Sequence, residues 1–268
     1  MNLFSALRRL PEYIGEFKME KHKVRNPTLG GDPGAWKGEE VSQYDMMQSI
    51  VIPKKDEMLD VIMSMIPFES DKAIKIMEIG SGLGALTKRL LNKYPKANIL
   101  CLDGSEEMIR NGKERLKDFQ EKISFQQINF NNPKWIDGIE GKFDLICSSL
   151  TLHYLATRRR KDFFKEISGI LKKNGVFIYS CAVRANSPFV QKIFVKVHRK
   201  YLLDKIFEVM GRRLTDEDLD KEFKQRRDKM GINPMTPENH LEYMRKAKFS
   251  KAEFIWKYRH YAVFMGVK

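Results

Sequence analysis

The chain has 268 residues, 42% hydrophobic and 31% charged, which is enough apolar material for a core and excludes a disordered polyelectrolyte. Lys and Arg number 49 against 35 Asp and Glu, and the net charge of +14 suits an anionic partner, although interleaved acids exclude a polybasic tail. Three cysteines without metal-like spacing predict a reducing compartment, and no apolar run reaches the ~18 residues of a membrane span.

Residues 1–43 read as an N-terminal arm and loop. Leu3, Leu7, Leu10 and Ile14 recur at helical spacing around Pro11, and the arm is expected to dock on its own domain or on a sister subunit, with membrane-surface binding as the weaker reading. Arg8 and Arg9 lack an apolar stretch behind them, so a secretory signal is not expected. Asn26 to Gly34 is a run of helix breakers. After Pro53, the spacing of Met58, Leu59, Ile62, Met63 and Ile66 predicts a helix ending before Pro67.

From Ile74 the pattern becomes short apolar strands separated by helices. Strands are predicted at Ile74–Ile79, Ala97–Leu102, Ile123–Phe130, Phe143–Ser148 and Gly175–Ser180, with a helix from Glu106 to Phe119. Near-continuous apolar strands imply a parallel sheet covered on both faces. Cys101, Cys147 and Cys181 fall inside these strands as small buried hydrophobes. Residues 187–232 form a charge-rich helical cap insertion, and Pro234 and Pro237 introduce a last helix through Leu241 and Met244. Glu253–Tyr258 and Tyr261–Val267, two residues apart, predict an antiparallel hairpin. The expected fold is α/β: a doubly wound, Rossmann-like, seven-stranded sheet with a cap and an N-terminal helical arm.

The strongest motif is Glu78-Ile79-Gly80-Ser81-Gly82-Leu83-Gly84, which follows a strand and opens a helix. Glycines allow a tight turn and close approach of a ligand to the backbone, and the helix start offers free N–H groups. Asp103 ends the second strand, where a carboxylate can accept from ribose hydroxyls. Dinucleotide sites prefer G-x-G-x-x-G, whereas here the spacing is G-x-G-x-G behind an acid, which suits a ligand carrying an amino group. Together with the terminal hairpin, these features resemble the class I S-adenosylmethionine-dependent methyltransferases over Tyr44 to Lys268.

That resemblance implies S-adenosylmethionine as cofactor. Gly80, Gly82 and Gly84 would line its methionine and ribose portion, and Glu78 and Ser81 would belong to the ordered loop. Asp103 would hold the ribose, with Gly104 and Ser105 beside the adenine and Asn129 and Phe130 at its edge. Ser148, Ser149 and Leu150 would lie nearest the sulfonium and acceptor. The flanks Trp36–Ile66, Leu150–Leu155, Gln225-Arg226-Arg227 and Ala247-Lys248-Phe249 resemble the branch containing the carboxy-S-adenosylmethionine synthase of tRNA wobble-uridine modification. In that branch the synthase carries glycine and tyrosine where this chain has Lys54 and Lys55, and an arginine at the position of Arg227 that holds the cofactor's extra carboxylate.

The expected function is methyl transfer to a small, anionic acceptor in the cytoplasm. The alternatives are synthesis of carboxy-S-adenosylmethionine, and a tRNA- or nucleic-acid-binding module with a vestigial pocket; tRNA is the less favoured partner. A homodimer through the arm or the cap is a further expectation. His153 is expected either as a base or as a helix-face residue packed beneath the cap. Arg226 and Arg227 are read as solvated charges or as a clamp, with Arg227 pointing inward opposite Tyr44 or Trp36. His198, His240 and His260 stand apart, and no cluster has metal-ligand spacing.

Overall fold

The computed structural model describes residues 31–32, 35–211 and 213–268, so the leucine-rich part of the arm lies outside the described residues. Seven strands form one sheet in the order β3-β2-β1-β4-β5-β7-β6. They are β1 (Lys75–Ile79), β2 (Asn98–Asp103), β3 (Ile123–Gln127), β4 (Phe143–Ser149), β5 (Leu171–Ala182), β6 (Lys251–Tyr258) and β7 (Tyr261–Val267). The first five pair in parallel, while β7 runs antiparallel to both β5 and β6.

Side-chain alternation divides the core between the two faces. Met77, Ile79, Leu102, Ile146, Phe177 and Tyr179 point to one side; Ile76, Ile99, Cys101, Leu145, Cys147 and Ile178 point to the other. All three cysteines are free and buried. The helices are α1 (Glu39–Ser42), α2 (Tyr44–Val51), α3 (Lys55–Ser64), α4 (Ala85–Lys93), α5 (Glu106–Arg115), α6 (Arg160–Ile170), α7 (Pro188–Met210), α8 (Asp216–Met230) and α9 (Pro237–Lys246).

Three boundaries differ from expectation, each for a local reason. Strand β3 stops at Gln127, because the chain turns at Asn129, whose carbonyl oxygen accepts from Asn132 N at 2.9 Å. Helix α5 stops at Arg115 and a 3-10 turn, Lys117–Lys122, carries the chain onward. Strand β5 begins at Leu171, which pairs with Phe143 across an irregularity, and it lengthens at its far end by pairing Ala182 with Tyr261.

The cap is two helices. Gly211 ends α7 in the left-handed conformation, and Thr215 starts α8 with a reciprocal capping box to Asp218. Leu202, Ile206 and Leu219 of the cap pack on Met47 and Ile50 of α2, so the cap rests on the helix that precedes the sheet domain. No helix among the described residues is long and apolar enough to cross a membrane.

Candidate active site

Strand order reverses beside β1, between β2 and β4, and parallel strands diverging into opposite connections leave a crevice at their carboxyl ends. The loop leaving β1 occupies it. Gly80, Gly82 and Gly84 all have positive φ, at 69°, 54° and 83°. Gly80 N and Ser81 N donate to Leu102 O at 2.7 and 3.0 Å, tying the loop to the next strand. Gly82 N donates to Asp103 Oδ2 and Ser105 N to Asp103 Oδ1, both at 2.9 Å. Burial pushes the Asp103 carboxyl up, and the N–H groups of Ser105, Gly82 and Gly104 pull it back part of the way.

The residues around this loop enclose a cleft of about 780 Å³, counted to its open mouth. Its inner wall is Ile79, Gly80, Gly82, Asp103, Gly104, Met108 and Ile128; Leu150, Thr151, Leu152, Tyr154 and Leu155 form the side beyond β4. The N-terminal segment is the roof. Gly31 N donates to Tyr154 O at 2.7 Å, the Ser105 hydroxyl to Trp36 O at 2.7 Å, and Gly38 N to Glu107 Oε2 at 2.9 Å. Trp36 and Tyr44 meet edge to face at 5.2 Å and both line the cleft.

This donor set fits S-adenosylmethionine. A Cβ on Gly82 would meet nothing nearer than the Tyr44 hydroxyl at 3.8 Å, so bare backbone faces the open cleft. Asp103 keeps lone pairs beyond its two backbone bonds for ribose hydroxyls, and the flanking wall is apolar and aromatic, as a nucleoside requires.

Comparison with known proteins agrees with this geometry. A family model described as a methyltransferase domain matches residues 77–177. The carboxy-S-adenosyl-L-methionine synthase of Nautilia profundicola is 23% identical over 86% of this chain and 92% of its own length. A malonyl-[acyl-carrier protein] O-methyltransferase of Ilyobacter polytropus is 32% identical over 42% of this chain and 40% of its own. Among solved structures, an O-methyltransferase family protein from Burkholderia thailandensis aligns over 86% of this chain with a TM-score of 0.59 at 14% identity. Human N-acetylserotonin methyltransferase in complex with SAM aligns over 86% with a TM-score of 0.55 at 17% identity. Those alignments take in 60% and 56% of the two solved chains, and the likeness is one of fold. Residues 77–177 are a methyltransferase domain, and S-adenosylmethionine is the methyl donor.

Within this methyltransferase the residues singled out from the sequence divide into two groups. Tyr44, Gly80, Gly82, Asp103, Gly104, Asn129 and Phe130 line the cleft. Asn129 Oδ1 accepts from Asn131 N at 3.0 Å. Glu78, Ser81, Gly84, Ser105 and Ser148 stand behind the cleft and shape it. Glu78 is buried and accepts from the Thr87 hydroxyl at 2.6 Å; burial pushes it up to about 8, so it is neutral at pH 7. Gly84 caps α4, and a Cβ there would meet Leu116 Cδ1 at 2.4 Å. Ser105 caps α5 and anchors the roof. The Ser148 hydroxyl donates to Ile79 O at 2.7 Å inside the sheet, which turns it away from the cleft.

Two residues offered with alternative readings are placed by the structure outside the cleft lining. His153 is buried outside the cleft, with Nδ1 3.8 Å from Cys181 Sγ, and burial pushes it down to about 3. It packs against Tyr154 at 4.2 Å between ring centroids, while Leu152 and Tyr154 on either side of it line the cleft. Arg227 is exposed. Leu219, Phe223 and Met230 occupy the inner face of α8, and Arg227 falls beside that stripe. The cap likewise does not form the cleft wall among the described residues; Gly31, Asp32, Trp36 and Tyr44 do.

Asn131 was invisible as a site residue in the sequence. Its Oδ1 accepts from Ala156 N at 2.8 Å and its Nδ2 donates to Tyr154 O at 3.3 Å, so one amide holds the wall beyond β4. No local pattern signals an asparagine that bridges segments 25 residues apart.

Asp103→Ala is expected to weaken S-adenosylmethionine binding by roughly 1–3 kcal/mol, the usual cost of losing hydrogen bonds to a charged group. Calorimetry on the folded variant measures it, and unchanged affinity would refute the ribose assignment.

Proposed function

We propose that this methyltransferase acts on a small acceptor held under the Trp36–Tyr44 roof, and that its catalytic domain runs from residue 44 to 268 with the cap at 187–232. When bound, the cofactor supplies an electrophilic methyl group on a sulfonium, transferred in line to the acceptor. The chain's own part is to bind, to orient and to exclude water. Asp103 and the glycine backbone fix the cofactor, while Trp36, Tyr44 and Tyr154 close the cleft around the reacting atoms.

The observation that carries this reading is the cleft lining itself, which among the described residues contains no histidine, lysine or arginine. Its titratable side chains among the described residues are Asp32, Asp103, Tyr44 and Tyr154, and an acceptor that attacks as it stands, such as a carboxylate, amine or thiolate, needs no base from the wall. An anionic acceptor is supported by the chain's net charge of +14, which raises the local concentration of anions, and not by a cation in the wall. A cytoplasmic location is part of this reading, supported by three free buried cysteines.

Synthesis of carboxy-S-adenosylmethionine is the second reading, favoured by the relative that matches 86% of the chain. Lys54 adopts φ 59°, a left-handed conformation that favours glycine, at the place where the resemblance gives the synthase a glycine. The following Lys55 is partly desolvated, which pushes its ammonium down, and a lysine at that place changes the chemistry offered to a carboxylated cofactor. A tRNA partner finds least support, since over most of the chain basic residues are interleaved with acids and the cleft lining holds no cation among the described residues.

The deciding experiment is mass spectrometry of the ligand retained on purification, followed by transfer of labelled methyl to a panel of small carboxylates, amines and thiols. Label transfer with retained S-adenosylmethionine or its demethylated product is expected; a retained carboxylated cofactor would establish the second reading.

A further inference from the structure

Helix α7 needs only one apolar face to sit on α2, and Leu202 and Ile206 supply it, both fully buried. It has a second one. Phe189, Ile193 and Val197 recur at four-residue spacing in its first half and are 72%, 44% and 39% exposed. Residues three or four apart share a face, so Lys192, Lys196 and Lys200 interleave with them on the same side. From Pro188 to Lys200 the helix carries four basic residues and no acid. One of the four, Arg199, is held by Asp220 of α8 at 2.6 Å, and Lys200 lies 3.2 Å from Asp204 one turn on.

We propose that the first half of α7 is an interfacial face that docks this protein on an anionic lipid surface. The mixing of lysine and aliphatic side chains on one stripe is what selects the partner. A protein groove deep enough to cover Phe189 and Ile193 would strip water from the intervening ammonium groups, at a cost no single opposing carboxylate repays. At a lipid interface the two needs separate by depth. Aliphatic and aromatic tips enter the acyl boundary while lysine stems bend back to the phosphates. Nucleic acid would satisfy the lysines and leave Ile193 and Val197 without a partner. Thirteen residues of helix span about 20 Å, enough for three lysines to reach separate headgroups.

The test is co-sedimentation of the full chain with vesicles of phosphatidylcholine containing one-third phosphatidylglycerol, against vesicles of phosphatidylcholine alone. Binding to the mixed vesicles only is expected. F189S/I193S, which leaves the charge unchanged, should weaken it roughly 10-fold or more through lost apolar burial. K192E/K196E should weaken it by at least ~10-fold, since each basic residue near an acidic surface contributes separately. Both pairs are exposed, and an unchanged melting temperature and unchanged S-adenosylmethionine affinity will show that the fold is intact. Absence of binding to the mixed vesicles overturns the proposal. Binding that F189S/I193S leaves intact and soluble polyglutamate abolishes also overturns it, because overall charge would then account for everything and an acidic protein would be the better partner.

Discussion

Gly80→Ala is expected to cost the fold roughly 2–5 kcal/mol, whereas Gly82→Ala should cost it only the ~1–2 kcal/mol of backbone strain and lose the cofactor. The two residues sit two apart with similar positive φ, so the strain of placing a Cβ in the left-handed region, ~1–2 kcal/mol, is common to both. What differs is the space. A Cβ on Gly80 would lie 2.0 Å from Thr151 Oγ1 and 2.5 Å from its Cγ2. Thr151 cannot swing clear without giving up its hydroxyl's bond to Ser149 O at 3.2 Å, and overpacking of this kind adds ~1–3 kcal/mol. At Gly82 a methyl has room and points into the cleft, so its cost falls on whatever binds there. Denaturant midpoints for both variants, with calorimetry of S-adenosylmethionine binding for Gly82→Ala, measure the split. Equal loss of stability, or full cofactor affinity in Gly82→Ala, would contradict the placement of the loop.

Stability should pass through a maximum near pH 6–7.5 and fall on both sides for different reasons. On the acid side His153 and His240 are pushed down to about 3 and His198 to about 4 by burial. The unfolded chain takes protons below pH 6.5 that the fold refuses, so stability is present above that value and lost progressively toward pH 3. On the alkaline side Glu78 acts in reverse. Its folded value of about 8 lies above the ordinary 4.5, so the fold keeps a proton that the unfolded chain has released, and stability declines as pH rises from 4.5 to 8. At ~1.4 kcal/mol per pH unit Glu78's own contribution falls by more than 1 kcal/mol between pH 6 and 8, against a histidine contribution that still rises over the lower part of that window, so the difference between wild type and Glu78→Gln is what reads it. Glu78→Gln keeps an oxygen for the Thr87 hydroxyl and should flatten that limb while leaving the acid limb in place. Denaturation at pH 6 and 8 for both proteins measures it, and an unchanged slope in the variant would place the titration elsewhere.

The sheet was legible because each strand carries its own signal. Apolar runs such as Ile76–Ile79 and Phe143–Cys147 are long enough to declare two-sided burial, and the glycine spacing with Asp103 declares the loop and its neighbour strand. These patterns are local, and the physics behind them is local. The roof was not legible. Trp36 and Gly38 are held by Ser105 and Glu107, both 69 residues away, and nothing near Trp36 in sequence says so. Arg227 stayed open between two readings for the same reason: whether a charge on α8 faces in or out depends on which stripe packs on Met47 and Ile50. His153 carried the chemistry of a base and the placement of a core residue; only the direction of a three-residue turn separates the two.

Helix α2 touches the cleft with its first residue, Tyr44, and bears the cap on Met47 and Ile50 less than two turns later. A rigid helix of eight residues, about 12 Å long, therefore acts as a rocker between two compartments. Any load on one end is felt at the other, and by thermodynamic reciprocity a cofactor that settles Tyr44 must steady the cap as much as a steadied cap favours the cofactor. Trp36, which lines the same cleft and meets Tyr44 edge to face, is loaded with it. Limited proteolysis would read this as a shared protection of the roof and of α7 on adding S-adenosylmethionine, although α7 contributes nothing to the cleft wall.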